Sequence, residues 1–170
     1  MRNLFLCAAM ICATGSVSAL ELKSPDLQNG MTIHDEQIYP RCGGKNIAPS
    51  LSWSGVPQGT KVLVLTMIDV SVKPSGWSHW VVTGLPADST GLAKGGVLPA
   101  GATGVHSNFG DTTYDGPCPP AGSGLHRYEI TLWALKSDLA IADNEKADDL
   151  RAALEKGATE KSTLWGTVTR

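Results

Sequence analysis

The 170-residue sequence is poor in the features that announce a chemistry directly. No cluster of lysine and arginine stands out, so there is no electrostatic footprint for nucleic acid or for an anionic membrane surface. After the first twenty residues no apolar run is long enough to cross a bilayer, which leaves no candidate for a transmembrane anchor. There is no Gly-x-Ser-x-Gly elbow, no His-Glu-x-x-His pair and no phosphate-binding P-loop, which removes the common hydrolase, metalloprotease and nucleotidase frameworks. Internal repeats, low-complexity tracts and linker-like runs are also missing. Cysteine is scarce, with four in the chain and no Cys-x-x-Cys pair.

Residues 1–19 read as a secretory signal: Arg2 gives a positive start, Leu4 to Ala13 an apolar stretch, and Val17-Ser-Ala19 the small residues before a cleavage point. Cys7 and Cys12 lie inside this segment without the small residues that precede a lipidated cysteine, which argues against a lipoprotein. The exported chain would be residues 20–170, one domain with room for a proper core. Without Arg2 it carries 13 basic and 16 acidic residues, a formal charge of −3. Its two cysteines, Cys42 and Cys118, form an even pair, which in an oxidising periplasmic or secreted setting closes a disulfide. Two free thiols or a metal pair is the alternative. Cys118 sits between prolines with none of the usual signals of a reactive thiol.

Val62 to Asp69 is a continuous, β-branched-rich apolar run and predicts a buried strand ending on an acid. Trp80 to Thr83 predicts a second strand, closed by Gly84-Leu-Pro86, and the period-two pattern of Tyr128 to Leu135 a third. Asn144 through Lys156 predicts the one clear helix, with Asn144 as N-cap, Ala147, Leu150 and Leu154 as its apolar stripe, and Gly157 as C-cap. A last strand is expected over Ser162 to Thr169. Strands outnumber helices and the turns are rich in glycine and proline. The fold class is therefore mostly β, an antiparallel sandwich or barrel with a helix near the C-terminus.

Chemistry concentrates in two stretches. Tyr114-Asp-Gly-Pro-Cys-Pro-Pro-Ala-Gly-Ser-Gly-Leu-His-Arg-Tyr128 is a loop stiffened by proline and opened by glycine, running into an imidazole and a phenol. Asp69 ends its strand ten residues before His79 in Trp77-Ser-His-Trp80, so the intervening loop could fold the carboxylate back onto that ring. His126 and Tyr128 share a strand face. Taken together, Asp69, His79, His126 and Tyr128, with glycine N–H groups such as that of Gly116, would form a small neutral-to-cationic pocket for an oxyanion. Singly, each also reads as a buried polar residue satisfied by its neighbours.

Three segments carry a resemblance: Gly44-Lys-Asn-Ile-Ala-Pro-Ser-Leu-Ser-Trp-Ser-Gly-Val-Pro57, the stretch from Asp69 through Gly76-Trp-Ser-His-Trp-Val-Val82, and Gly116-Pro-Cys-Pro-Pro120 followed by Gly124-Leu-His-Arg-Tyr128. In that order and spacing they resemble the phosphatidylethanolamine-binding protein family, in its bacterial Raf-kinase-inhibitor-like (YbhB/YbcL) branch, over about Leu22 to Arg170. The resemblance implies a two-sheet antiparallel β-fold with a small pocket at one end for phosphate, acetate or a phosphorylated headgroup. It assigns the pocket acid to Asp69 and the central histidine to His79. A backbone donor falls on Gly116, a rigid wall on Pro119 and Pro120, and the second histidine and the phenol on His126 and Tyr128. One departure stands out. Where the family reads Asp-Pro-Asp-Ala-Pro, this chain has Asp69-Val-Ser-Val-Lys-Pro74, so the second acid is replaced by Ser71 and Lys73 enters nearby.

The expected function is an exported binder of a small phosphate-type anion or headgroup, with no cofactor, no metal and no catalytic residue. The alternative is an interaction protein that inhibits a protease or kinase, the pocket being secondary. Acid–base catalysis by Asp69, the two histidines and Tyr128 ranks behind both.

Overall fold

The computed structural model describes residues 18–170. The expected signal segment, 1–19, therefore lies outside the described residues except for its last two. Two antiparallel sheets and one helix form three layers. The small sheet is ordered β1 (Glu21–Lys23), β2 (Leu51–Ser54), β5 (Gly91–Leu92). The large sheet is ordered β6 (Thr103–Gly104), β4 (Trp77–Pro86), β3 (Val62–Asp69), β7 (Leu125–Leu135), β8 (Ala158–Thr169). Helix α1 (Ala147–Gly157) precedes β8.

Strand β3 explains the layering. All eight of its residues are buried, because successive side chains point to opposite faces and both faces are covered. Leu63, Leu65 and Met67 join Trp53, Leu92, Ile130 and Leu132 in the core between the sheets. Val62 and Val64 face the other way and pack with Trp133, Leu135, Leu150 and Leu154 under α1. Covering a sheet on both sides is what turns an alternating pattern into a continuous apolar run.

The strand expected over residues 62–69 is observed with those bounds. The other three are longer than expected: Trp77–Pro86 rather than Trp80–Thr83, Leu125–Leu135 rather than Tyr128–Leu135, and Ala158–Thr169 rather than Ser162–Thr169. In each case ladder pairing extends a strand through residues of no strong preference, as where Arg127 pairs with Thr167 and Glu160 with Ala134. The apolar stripe of α1 is buried as expected, but its ends differ. Asn144 is not the N-cap: it takes a left-handed φ of 55° and gives its N–H to the His106 carbonyl, so the helix starts three residues later. Gly157 is the last helical residue rather than a cap, since Ala158 is already extended and opens β8.

Cys42 and Cys118 are joined in a disulfide across a sequence separation of 76 residues. A cross-link closing a loop of that length restricts the unfolded chain, worth about 4 kcal/mol in the chain-entropy account. The double variant Cys42→Ser, Cys118→Ser should lose stability of that order in equilibrium chemical denaturation under oxidising conditions. A loss below about 1 kcal/mol would mean that the bridge adds little to the packed fold.

Candidate functional site

The strands bring the site residues to one end of the large sheet. Asp69, the last residue of β3, lies opposite Trp77 of β4 on one side and Tyr128 of β7 on the other. His126 and Tyr128 share the inward face of β7. His79 reaches that face through a bulge. Met67 pairs with Trp80 and Ile68 with Ser78, which leaves His79 as the extra residue on β4. A bulge re-aims side chains locally. It turns the imidazole into the cavity beside Trp80, where strict alternation would have pointed it towards the helix.

The loop between Tyr114 and Gly124 closes the site and is clamped at several points. His79 and Asp115 exchange two bonds: the Asp115 N–H donates to the His79 carbonyl at 3.2 Å, and His79 Nδ1 lies 3.0 Å from the Asp115 carbonyl. Asn46, itself left-handed at φ 57°, accepts the Gly116 N–H on Oδ1 at 2.7 Å and donates Nδ2 to the Tyr114 carbonyl at 3.1 Å. Tyr114 donates its hydroxyl to the Gln37 carbonyl at 2.9 Å. Glycine is required at 116 by close approach, since a Cβ there would sit 2.0 Å from the Gln37 carbonyl oxygen. The disulfide completes the clamp, and Arg170 donates to the Pro119 carbonyl at 3.1 Å.

The result is a cavity of about 360 Å³ lined by Asp69, His79, His126 and Tyr128 on the sheet side. Cys118, Pro119 and Pro120 come from the loop, and Arg41, Val72, Trp77 and Phe109 close the remaining wall. That volume lies in the range of small-molecule sites. A larger hollow of about 510 Å³ is lined by Pro25, Asp26, Met31 and His34 among others. Its Asp26 carboxylate is already taken by the Ser50 N–H at 2.8 Å and Lys94 at 3.2 Å, so it presents less unspent chemistry.

Protonation follows from burial and partners. Asp69 Oδ2 lies 2.6 Å from His126 Nδ1, while Oδ1 accepts the Ser71 N–H at 2.9 Å. The His79 ring is almost fully buried, and burial lowers its pKa to about 4, outweighing the Asp115 carbonyl and the Asp69 charge, which raise it. The ring is therefore neutral near pH 7. A carbonyl only accepts, so the proton sits on Nδ1 and Nε2 carries a lone pair. The Tyr128 phenol is pushed up by burial, with the Asp69 carboxylate adding to the effect. That carboxylate is close, but no contact to it meets hydrogen-bond geometry, and the buried hydroxyl has no partner among the described residues. Asp115 is raised to about 6 by burial and by Asp111, and its Oδ2 is also unpartnered.

Six of the seven sequence-nominated residues, Asp69, His79, Pro119, Pro120, His126 and Tyr128, line this one cavity. Gly116 does not. Its N–H is spent on Asn46, which corrects its expected role as a donor pointing into the pocket. The Asp69 carboxylate is likewise held by His126, rather than by His79 as the short loop implied. Ser71, where an acid was expected, accepts the Arg127 N–H at 2.9 Å and fastens the loop to β7. Lys73 is not among the lining residues. Arg41, Val72, Trp77 and Phe109 line the cavity and had not been assigned to it. Trp77 lay inside a recognised motif, while Arg41 had only its place beside Cys42 as a signal. Among the described residues no group of three His, Cys, Asp or Glu side chains is arranged to hold a metal ion.

His79 has a consequence for acid stability. An unfolded histidine takes a proton near pH 6.5, but buried His79 resists protonation down to about 4. Its contribution to stability is full above pH 6.5 and is lost as pH falls through that window. Asp115, with its pKa raised, works in the opposite sense there. The effect is thus read as a difference between variants: His79→Asn, which keeps a donor for the Asp115 carbonyl, should gain on the parent by up to roughly 3 kcal/mol between pH 6.5 and 4. A constant difference in denaturation midpoints across that range would contradict the assignment.

Comparison with known proteins gives the family and the fold. Residues 23–169 match the family described as phosphatidylethanolamine-binding protein. The chain is 34% identical over 151 residues to the UPF0098 protein YbcL of Escherichia coli, covering 84% of this chain and 82% of that protein. It is 40% identical over 124 residues to the E. coli UPF0098 protein YbhB, covering 68% and 78%. A putative lipoprotein of Mycobacterium tuberculosis, LppC, is 34% identical over 148 residues, covering 87% and 71%. The crystal structure of E. coli YbcL superposes with a TM-score of 0.79 at 30% identity, over 88% of this chain and 98% of that one. A carboxypeptidase Y inhibitor, solved with its cognate proteinase, shares the fold at a TM-score of 0.57 and 17% identity, over 89% and 82%. By its sequence, its two-sheet fold and its relatives, the chain belongs to the phosphatidylethanolamine-binding protein family, in the bacterial YbcL/YbhB branch.

Proposed function

We propose that the protein is an exported binder of a small oxyanion, a phosphate or a phosphorylated group, held in the cavity between Asp69, His79, His126 and Tyr128. The observation that carries this reading is the Tyr128 hydroxyl, buried at the cavity wall with no hydrogen bond to any described residue. A buried hydroxyl without a partner is costly, and an oxyanion offers it an acceptor. His126, oriented by Asp69 through Nδ1, lines the same cavity, and its other ring nitrogen donates to an oxyanion only when the ring is doubly protonated. Charge-assisted hydrogen bonds of this type are the strong ones.

The bare Nε2 of His79 adds a condition. A lone pair facing a fully deprotonated oxyanion is repulsive, so binding brings a proton, carried either by the ligand or by the ring. Affinity should rise as pH falls from 8 to 6.

Binding rather than catalysis is supported by how the polar groups are used. The Asp69 carboxylate is held by His126 and the Ser71 N–H, and among the described residues no serine, threonine or free thiol lines the cavity. Export is supported by the disulfide and by the lipoprotein name of a relative. Protease inhibition rests on fold likeness to one inhibitor, and no residue of this chain argues for it separately.

Tyr128→Phe is the cleanest test, because His79 is a packed, hydrogen-bonded residue whose loss would disturb the loop. The variant should be as stable as the parent or slightly more so, and should bind inorganic phosphate roughly 10-fold more weakly by calorimetry. Titrations in two buffers of different ionisation enthalpy should show net proton uptake. Unchanged phosphate affinity in Tyr128→Phe would remove the hydroxyl from the site, and no saturable binding to the parent protein would end the binder reading.

A further inference from the structure

The wall of the cavity that the sequence did not reveal carries a charge with no evident structural use. Arg41 belongs to the short 3-10 turn Pro40–Cys42, and the turn is fixed on several sides. Cys42, the next residue, is bonded to Cys118 in the facing loop. The Tyr39 N–H donates to the Pro117 carbonyl at 3.1 Å, and the Tyr39 ring packs edge-on against Phe109 with centroids 4.8 Å apart. Arg41 is exposed, lines the cavity, and pairs with no carboxylate among the described residues. Asp69, the one carboxylate among the described residues lining the cavity, is paired with His126. At position 71, two residues further on, a serine is tied to the backbone of β7. Among the described residues the lining therefore includes one guanidinium, carried on a fixed turn, and no carboxylate besides Asp69, together with an apolar surface made by Val72, Trp77 and Phe109.

We propose that Arg41 sets the ligand class of this pocket: a phosphate monoester on a small apolar body, selected against a phosphate whose body carries an ammonium group. The inference rests on the oxyanion reading above and narrows it. The phosphate reaches the histidines and Tyr128, the guanidinium meets the charge left at the mouth, and the body lies along Val72, Trp77 and Phe109. A guanidinium stays charged at any working pH and suits phosphate geometry. An ammonium group arriving at the same mouth would meet that cation and find no carboxylate to pair with. Like-charge juxtaposition of this kind is how a site rejects a near-isostere.

The probes are n-propyl phosphate and phosphoethanolamine, which differ chiefly in a terminal methyl group against an ammonium group. The parent protein should bind n-propyl phosphate at least 5-fold more tightly than phosphoethanolamine by calorimetry. Arg41→Gln should weaken n-propyl phosphate roughly 5- to 20-fold and bring the ratio close to one. Arg41→Lys should keep most of the preference, and Arg41→Glu should invert it. Melting temperatures of all three should stay near that of the parent, since the side chain is exposed and unpaired. Equal binding of the two probes by the parent, or a ratio that Arg41→Gln leaves unchanged, would overturn the role of Arg41 while leaving the oxyanion site standing. Failure of both probes and of inorganic phosphate to bind the parent would instead defeat the underlying reading.

Discussion

The pocket depends on an irregular loop being held against the end of a regular sheet, and the contact that holds it is the two-bond exchange between His79 and Asp115. One bond is backbone to backbone. The other uses the imidazole, which fixes the ring's tautomer as it fixes the loop. The exchange ties the start of the proline-rich segment to β4, the strand beside β3. The disulfide and the Asn46 clamp reinforce the same seating from the opposite side. Structure and recognition are thus joined in one side chain: the bond that docks the loop also decides that His79 offers its ligand a lone pair.

Around that contact the polar groups divide into those already satisfied and those still unsatisfied. Asp69 is spent on His126 and Ser71, Asn46 on Gly116 and Tyr114, and Tyr114 on Gln37. Among the described residues the Tyr128 hydroxyl, the outer ring nitrogens of His79 and His126 and the Arg41 guanidinium have no partner. Buried polar groups are ordinarily paired; of the buried atoms without a partner among the described residues, the Tyr128 hydroxyl belongs to a residue lining this cavity, while the Gln37 amide and Asp115 Oδ2 belong to residues outside its lining. The fold supplies rigidity through a sheet covered on both faces, while the site is assembled from strand ends and loops, where side chains can be spared from packing.

Much of this was legible in the sequence. The apolar run Val62 to Asp69 gave its strand directly, because a doubly covered strand needs no partner to be recognised. The stripe Ala147, Leu150, Leu154 likewise marked the buried face of the helix. What could not be read was set by pairing between distant segments. The bulge that turns His79 exists only in the register of β4 against β3, so the sequence period places that ring on the wrong face. The choice of His126 over His79 as partner of Asp69 depends on β7 lying beside β3, 57 residues further along the chain. Gly116 announced a close approach but not to what, and the answer is the Gln37 carbonyl rather than a ligand. Arg41 was invisible as a site residue because a cross-link, not a motif, carries it to the cavity. The two-residue strands β5 and β6 have too little sequence to show any period.

The account turns on a neutral His79 with its proton on Nδ1 and a bare Nε2 in the cavity. Ring-nitrogen NMR of the histidines, recorded from pH 4 to 8 with and without phosphate, tests this directly. Without phosphate His79 should stay in the Nδ1–H tautomer down to about pH 4. Phosphate should then move its Nε2 resonance saturably, with the midpoint of protonation shifting upward. A His79 ring that titrates near pH 6.5, or an Nε2 resonance that phosphate leaves unmoved, would contradict it.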